Sequence, residues 1–211
     1  MARKKRVWYP GAMYHVMSRG TRKSAIYKDS TDYVRFLNII CKVHEKIPFR
    51  LHAICLMTNH FHLALETQDV ELWKIMQKIL SLYAENFNHR YDCTGHLFQG
   101  RYTACLIEDE RYFLEVSRYI HLNPVKAQMV NDPAAYGYSS YGLYVSDRSA
   151  YNMSRAEQLI DRILDTDRVL SAFDGDLRKG YRHFVEGRLS HNDAEQQIQK
   201  DIREDEMWLP Y

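Results

Sequence analysis

The chain has 211 residues, 45% hydrophobic and 27% charged, with a formal net charge of +2. That length supports one substantial core and a small second unit, and no apolar run approaches the roughly 18 residues of a membrane span. The small net charge excludes a generally cationic protein, and four widely spaced cysteines, three of them in apolar runs, exclude a disulfide framework or a CxxC zinc site.

The charge is unevenly placed. Residues 1–28 hold Arg3, Lys4, Lys5, Arg6, Arg19, Arg22, Lys23 and Lys28 and no acid, whereas from Glu186 onward seven acids outnumber three bases. A basic first segment on a near-neutral body points to a phosphate-binding surface. No signal-type apolar region follows the basic start, so the expected location is the cytoplasm, with no membrane partner.

In chain order, residues 1–10 form a basic arm carrying Trp8 and Tyr9. Residues 12–18 alternate as a strand, with His15 and Met17 on one side and Tyr14, Val16 and Ser18 on the other. Residues 20–24 read as a cationic loop able to meet a phosphate backbone. Asp29 or Ser30 can cap a helix whose stripe is Tyr33, Phe36, Leu37, Ile40 and Cys41, ending before Pro48. Residues 49–57 and 60–66 then read as an antiparallel hairpin turning at Thr58 and Asn59.

A second long helix is expected from Asp69 or Val70 to Arg90, a loop over 91–100 and a strand over 101–108. Residues 111–123 read as a third helix, ended by Pro124. Residues 136–151, rich in Tyr, Ser and Gly, read as a linker. Helix resumes at Ser154, continues through 170–173 and 181–189, and gives way to an acidic tail over 201–211 with Trp208 as an anchor. The order implies an α+β fold: an antiparallel sheet with helices on one face, the other left for chemistry. The expected division is a principal domain over 1–146 and a linker with a helical appendage over 147–211.

The chemistry centres on Asn59-His60-Phe61-His62. Strand alternation puts His60 and His62 on one side, where two imidazoles can share a cation. Tyr119 and Asn123 stand four apart on one helix face. If that face covers the histidines, a divalent metal, a carboxamide oxygen and a phenol meet at one point, a set suited to attack on a phosphodiester. Affinity alone favours zinc, whereas phosphoryl transfer with a carboxamide ligand better suits Mg²⁺ or Mn²⁺.

Five stretches carry a family resemblance: YHVMSRG (14–20), MTNHFH (57–62), GHLFQGRY (95–102), SRYIHLNPVKA (117–127) and YSSY (138–141). In this order they resemble the HUH single-tyrosine transposases of the IS200-like type, particularly the REP-associated tyrosine transposases. The resemblance implies a ferredoxin-like HUH fold, metal ligation by His60, His62 and Asn123, and Tyr119 as the nucleophile that cuts single-stranded DNA through a 5′-phosphotyrosine link. It also implies a hairpin of the repetitive extragenic palindrome type as substrate, held by the basic arm, with Gln99 and Arg101 contacting DNA. His121, on a different helix face from Tyr119, is a candidate for contact with the scissile strand and not a ligand. Where the family often has lysine and tryptophan, this chain has Thr103 and Tyr138. The protein would act as a monomer or homodimer. Three other readings fit the same residues: a hairpin-binding regulator with vestigial cleavage, a replication-initiator or relaxase-type nickase, and a zinc hydrolase using water.

Overall fold

A computed structural model describes residues 7–147, 151–187 and 192–207. Four strands, β1 (Met13–Arg19), β2 (Phe49–Leu56), β3 (His60–Thr67) and β4 (Thr103–Ile107), form one antiparallel sheet in the order β2-β3-β1-β4. Helix α1 (Ser30–Lys46) joins β1 to β2, and α2 (Leu72–Tyr91) joins β3 to β4. This is the ferredoxin-like arrangement, followed by α3 (Glu110–Lys126), α4 (Tyr141–Val145), α5 (Arg155–Asp161), α6 (Asp167–Leu170), α7 (Leu177–Glu186) and α8 (Asn192–Met207).

Strand alternation gives the sheet two faces, and each has its own core. On one, Val16, Ile54, Phe61 and Leu63 meet Phe36, Leu37 and Ile40 of α1 and Ile75, Ile79 and Tyr83 of α2. On the other, Met13, Met17, Cys55, Ala64 and Cys105 meet Phe113, Val116 and Ile120 of α3. The expected plan, two helices on one face and the tyrosine-bearing helix on the other, is the one observed. Cys41, Cys55 and Cys105 are buried thiols, Cys93 is exposed and none is bridged.

Helix α1 starts where Asp29 accepts hydrogen bonds from the Thr31 and Asp32 amides at 2.9 and 3.2 Å, and it stops at Lys46, ahead of Pro48. The ring of Phe36, fully buried, packs against Tyr27, Phe61 and Tyr83. Phe36→Ala is expected to destabilise the fold by about 3–5 kcal/mol, read as a lower urea midpoint with an unchanged m-value.

Three expectations are corrected. Helix α3 does not end before Pro124: it runs to Lys126, where the Ala127 amide donates to the carbonyls of Asn123 and Val125. Lying in the last turn, the proline removes only one intrahelical bond, and its fixed φ already suits the helix. Nor is the stretch 136–151 simply a linker, because Tyr141, Leu143 and Tyr144 of α4 are fully buried. Their tyrosines enter the core with satisfied hydroxyls: Tyr144 donates to the His52 carbonyl at 2.6 Å and Tyr141 to Glu186 at 2.7 Å. Ahead of α4, the Leu56 amide donates to the Tyr138 carbonyl and the Ser140 amide to Ile54, so the segment covers the β2 edge. Finally, the expected acidic tail is helical to Met207; Trp208 lies outside the described residues.

The C-terminal helices divide between the two cores. Leu159 and Ile160 of α5 join the α1 side, and Tyr181 and Val185 of α7 with Ile198 and Ile202 of α8 join the α3 side.

Candidate active site

The sheet register builds the site. Across β1 and β3, Arg19 stands opposite His60, Met17 opposite His62 and His15 opposite Ala64, so His15, His60 and His62 all project from the face that α3 covers. The Tyr119 ring lies 5.6 Å from that of His62 and 5.7 Å from that of His15, while His60 and His62 are 5.0 Å apart. One turn on, Asn123 Nδ2 donates to the Tyr119 carbonyl at 2.7 Å, a bond that does not use its Oδ1. One chain therefore brings the two histidines and the phenol together.

Burial keeps these imidazoles neutral. It holds His60 down at about 4, helped by the positive Arg19, and His62 well below its ordinary value, helped by His60 and His15. His60 Nδ1 lies 2.7 Å from Asn59 Oδ1, an oxygen that can only accept, so the His60 proton sits on Nδ1 and its Nε2 keeps a lone pair. Neutral imidazoles oriented in this way are ready cation ligands. Among the described residues no cluster of three or more His, Cys, Asp or Glu can hold a metal. Two neutral imidazoles with a carboxamide oxygen as a third donor would be a sparse set of the kind that suits a divalent ion with positions left for phosphate oxygens.

Tyr119 is the harder group to activate. Burial pushes its phenol up to about 12, with Glu195 as a second, smaller cause. Glu195 pairs with Lys126 at 2.6 Å, and the Lys126 ammonium lies 5.0 Å from the Tyr119 ring centroid. Tyr112, the nearest alternative tyrosine on α3, has its hydroxyl bonded to Asp201 of α8, which accounts for it as a packing residue.

Of the expected DNA-contacting residues, four gather beside the histidine hairpin. Arg19 Nε donates to Gln99 Oε1 at 3.0 Å, and the Gln99 amide donates to the Arg19 carbonyl at 2.8 Å. Arg22 and Lys23 sit in a 3-10 turn with positive φ of 54° and 60°, fastened when Asn59 Nδ2 donates to the Lys23 carbonyl and the Gly20 amide to the Asn59 carbonyl. Only glycine fits at position 20, since a Cβ there would stand 2.2 Å from the Ser24 carbonyl oxygen. Arg101 is exposed at a cavity of about 930 Å³ along the β4 edge, whose lining includes Trp8, Trp73 and Asp201 but not His60, His62 or Tyr119. Arg3, Lys4, Lys5 and Arg6 lie outside the described residues.

His121 does not meet the expectation of contact with the scissile strand. It is fully buried, with Nδ1 2.6 Å from the Tyr181 hydroxyl and Nε2 2.7 Å from Ser140 Oγ, because two residues along a helix turn a side chain away from the face of Tyr119. Burial lowers its pKa from 6.5 to about 3. The folded state thus refuses a proton that the unfolded chain accepts below 6.5, so stability falls as pH drops from about 6.5 toward 3. Urea midpoints at pH 7, 5 and 4 are expected to fall with a shallower slope in His121→Gln than in wild type.

Two residues of this neighbourhood escaped a reading based on spacing. Asn59 orients His60 and anchors the 20–24 loop, and its only signal was its place beside His60. His15 bonds His62 across two strands, a contact set by register.

The four-stranded antiparallel sheet with its two flanking helices is the HUH transposase fold. The family profile for IS200-like transposases matches residues 9–123, so the chain belongs to that family of transposases, enzymes that cut DNA and generally use a divalent metal. Among solved structures, the chain is similar to a REP-associated tyrosine transposase bound to a REP hairpin: 21% identity, TM-score 0.59, over 72% of this chain and 88% of that one. A candidate transposase from Deinococcus radiodurans R1 has 16% identity and TM-score 0.38 over 56% of this chain and 95% of that one. No curated protein matches the chain. No helix among the described residues is long and apolar enough to cross a membrane.

Proposed function

We propose that the protein cuts and rejoins single-stranded DNA with Tyr119 as nucleophile. The observation that carries this is the Tyr119 ring held against His62, with His60 beside His62, within one chain. Tyr119 Oη forms a bond to phosphorus as the bond to the 3′ oxygen breaks. The phenol gives up its proton, and the departing 3′ oxygen takes one up. The resulting 5′-phosphotyrosine stores the bond energy, so a 3′-hydroxyl of another strand can reverse the step without a nucleotide cofactor.

His60, His62 and Asn123 would hold Mg²⁺ or Mn²⁺, which when bound polarises the phosphate and offsets the cost of ionising a phenol raised to about 12. Buried neutral imidazoles fix the ligand geometry, and α3 presents the phenol from above. Arg19, Gln99, Arg22 and Lys23 form a rim suited to the DNA backbone, and the charge of Arg101 and of the basic residues 3–6 would add to phosphate binding. The substrate is proposed to be a hairpin of the repetitive extragenic palindrome type, in keeping with the partner of the similar transposase.

The test is a 5′-labelled single-stranded hairpin incubated with Mn²⁺ or with chelator and run on a denaturing gel. Metal-dependent cleavage leaving a 3′-hydroxyl is expected; cleavage unaffected by chelator would overturn the reading. The Arg22→Ala/Lys23→Ala double variant is expected to lower the slope of log affinity against log salt by about 0.7 for each single-strand phosphate it no longer neutralises, measured by fluorescence anisotropy.

A further inference from the structure

His15 is buried at 1% exposure on β1, and its Nε2 lies 3.0 Å from His62 Nδ1, with the two rings stacked at 5.2 Å. A single proton lies between those nitrogens. If His15 gives it, His62 carries its own proton on Nε2 and has no lone pair there for a cation. If His62 gives it, Nε2 of His62 is free to ligate. Among the described residues His15 Nδ1 is buried with no hydrogen-bond partner: it is a bare acceptor in the first arrangement and an unpaired N–H in the second, a cost that the second arrangement carries.

The neighbouring ligand supplies the distinction. Asn59 Oδ1 is a neutral acceptor that fixes the proton of His60 on Nδ1, and the sheet sets His15 Nε2 against the corresponding atom of His62. We infer that His15 is a positioning residue: it accepts from His62 Nδ1 and so holds Nε2 of His62 toward the metal. Ligating histidines commonly have such a partner, often a carboxylate or a carbonyl. Here both partners are uncharged, so the positive charge of the ion is left undiminished for a phosphate and a developing phenolate. The inference rests on the metal-site reading above and goes beyond it by giving His15 a role that neither ligand spacing nor helix position assigns.

The test compares wild type, His15→Leu and His15→Gln, each checked for folding by circular dichroism. Leucine fills the buried space without an acceptor, whereas the glutamine carboxamide oxygen reaches toward the position of Nε2. Mn²⁺ affinity is measured by calorimetry without DNA, and the His62 tautomer by long-range ¹H–¹⁵N NMR of the metal-free protein. Wild type is expected to carry the His62 proton on Nδ1. His15→Leu is expected to shift that proton toward Nε2 and to weaken Mn²⁺ binding roughly 10- to 100-fold, with His15→Gln recovering most of both. Unchanged tautomer and affinity in a folded His15→Leu would overturn the inference, as would a His15→Gln as weak as His15→Leu. A wild type that binds no Mn²⁺ would instead defeat the metal reading, while the tautomer comparison would still decide the hydrogen bond.

Discussion

Tyr119→Phe is expected to lose single-strand cleavage by on the order of 10⁴-fold or more while keeping DNA affinity within about twofold. The reason is chemical. Removing one oxygen deletes the atom that attacks phosphorus, yet the ring keeps its packing beside His15 and His62 and under the Lys126 ammonium. Tyr112→Phe serves as the control, since its hydroxyl is committed to Asp201 and its loss is expected to leave cleavage within a fewfold of wild type. Single-turnover cleavage of labelled hairpin, with anisotropy for binding, separates the two effects.

His60→Ala is expected to cost on the order of 10³-fold in cleavage at fixed Mn²⁺, with metal affinity reduced at least about 100-fold. His60 is the more accessible of the two proposed ligands, at the start of β3 beside Arg19, so truncating it leaves a smaller cavity than truncating the buried His62. Raising Mn²⁺ should restore part of the rate if the loss is in metal occupancy. A variant that binds Mn²⁺ as wild type does and still cuts would remove His60 from the ligand set.

Much of this architecture was legible in the residues. Period-two alternation marked β1, two apolar runs meeting at Thr58 and Asn59 marked the β2–β3 hairpin, and helical stripes marked α1 and α2, because each of these helices buries one face against the sheet while the strands are covered on both. His60 and His62 stood out for the same reason: strand alternation fixes their common side whatever lies above them. The contacts that escaped depend on chain segments far apart. His15 meets His62 only through the β1–β3 register, and Glu195 approaches Tyr119 and Lys126 only because α8 returns to the α3 face.

Other misreadings came from residues with two characters. Tyr141 and Tyr144 look polar in a Ser- and Gly-rich stretch, but their rings are core and their hydroxyls find partners there. Pro124 reads as a stop signal, and two residues from a helix end it is tolerated. His121 carries the chemistry of an active-site residue, but its helix position turns it into the core between Tyr181 and Ser140.

The most direct test of the central claim is to trap the covalent product. Wild-type protein is incubated with single-stranded hairpin DNA and Mn²⁺, the bound DNA is trimmed with nuclease, and the tryptic peptides are examined by mass spectrometry. The account predicts a residual nucleotide phosphate linked to the tyrosine of the peptide containing Tyr119. Cleaved DNA with no modified tyrosine, or a nucleotide on Tyr112 instead, would contradict it.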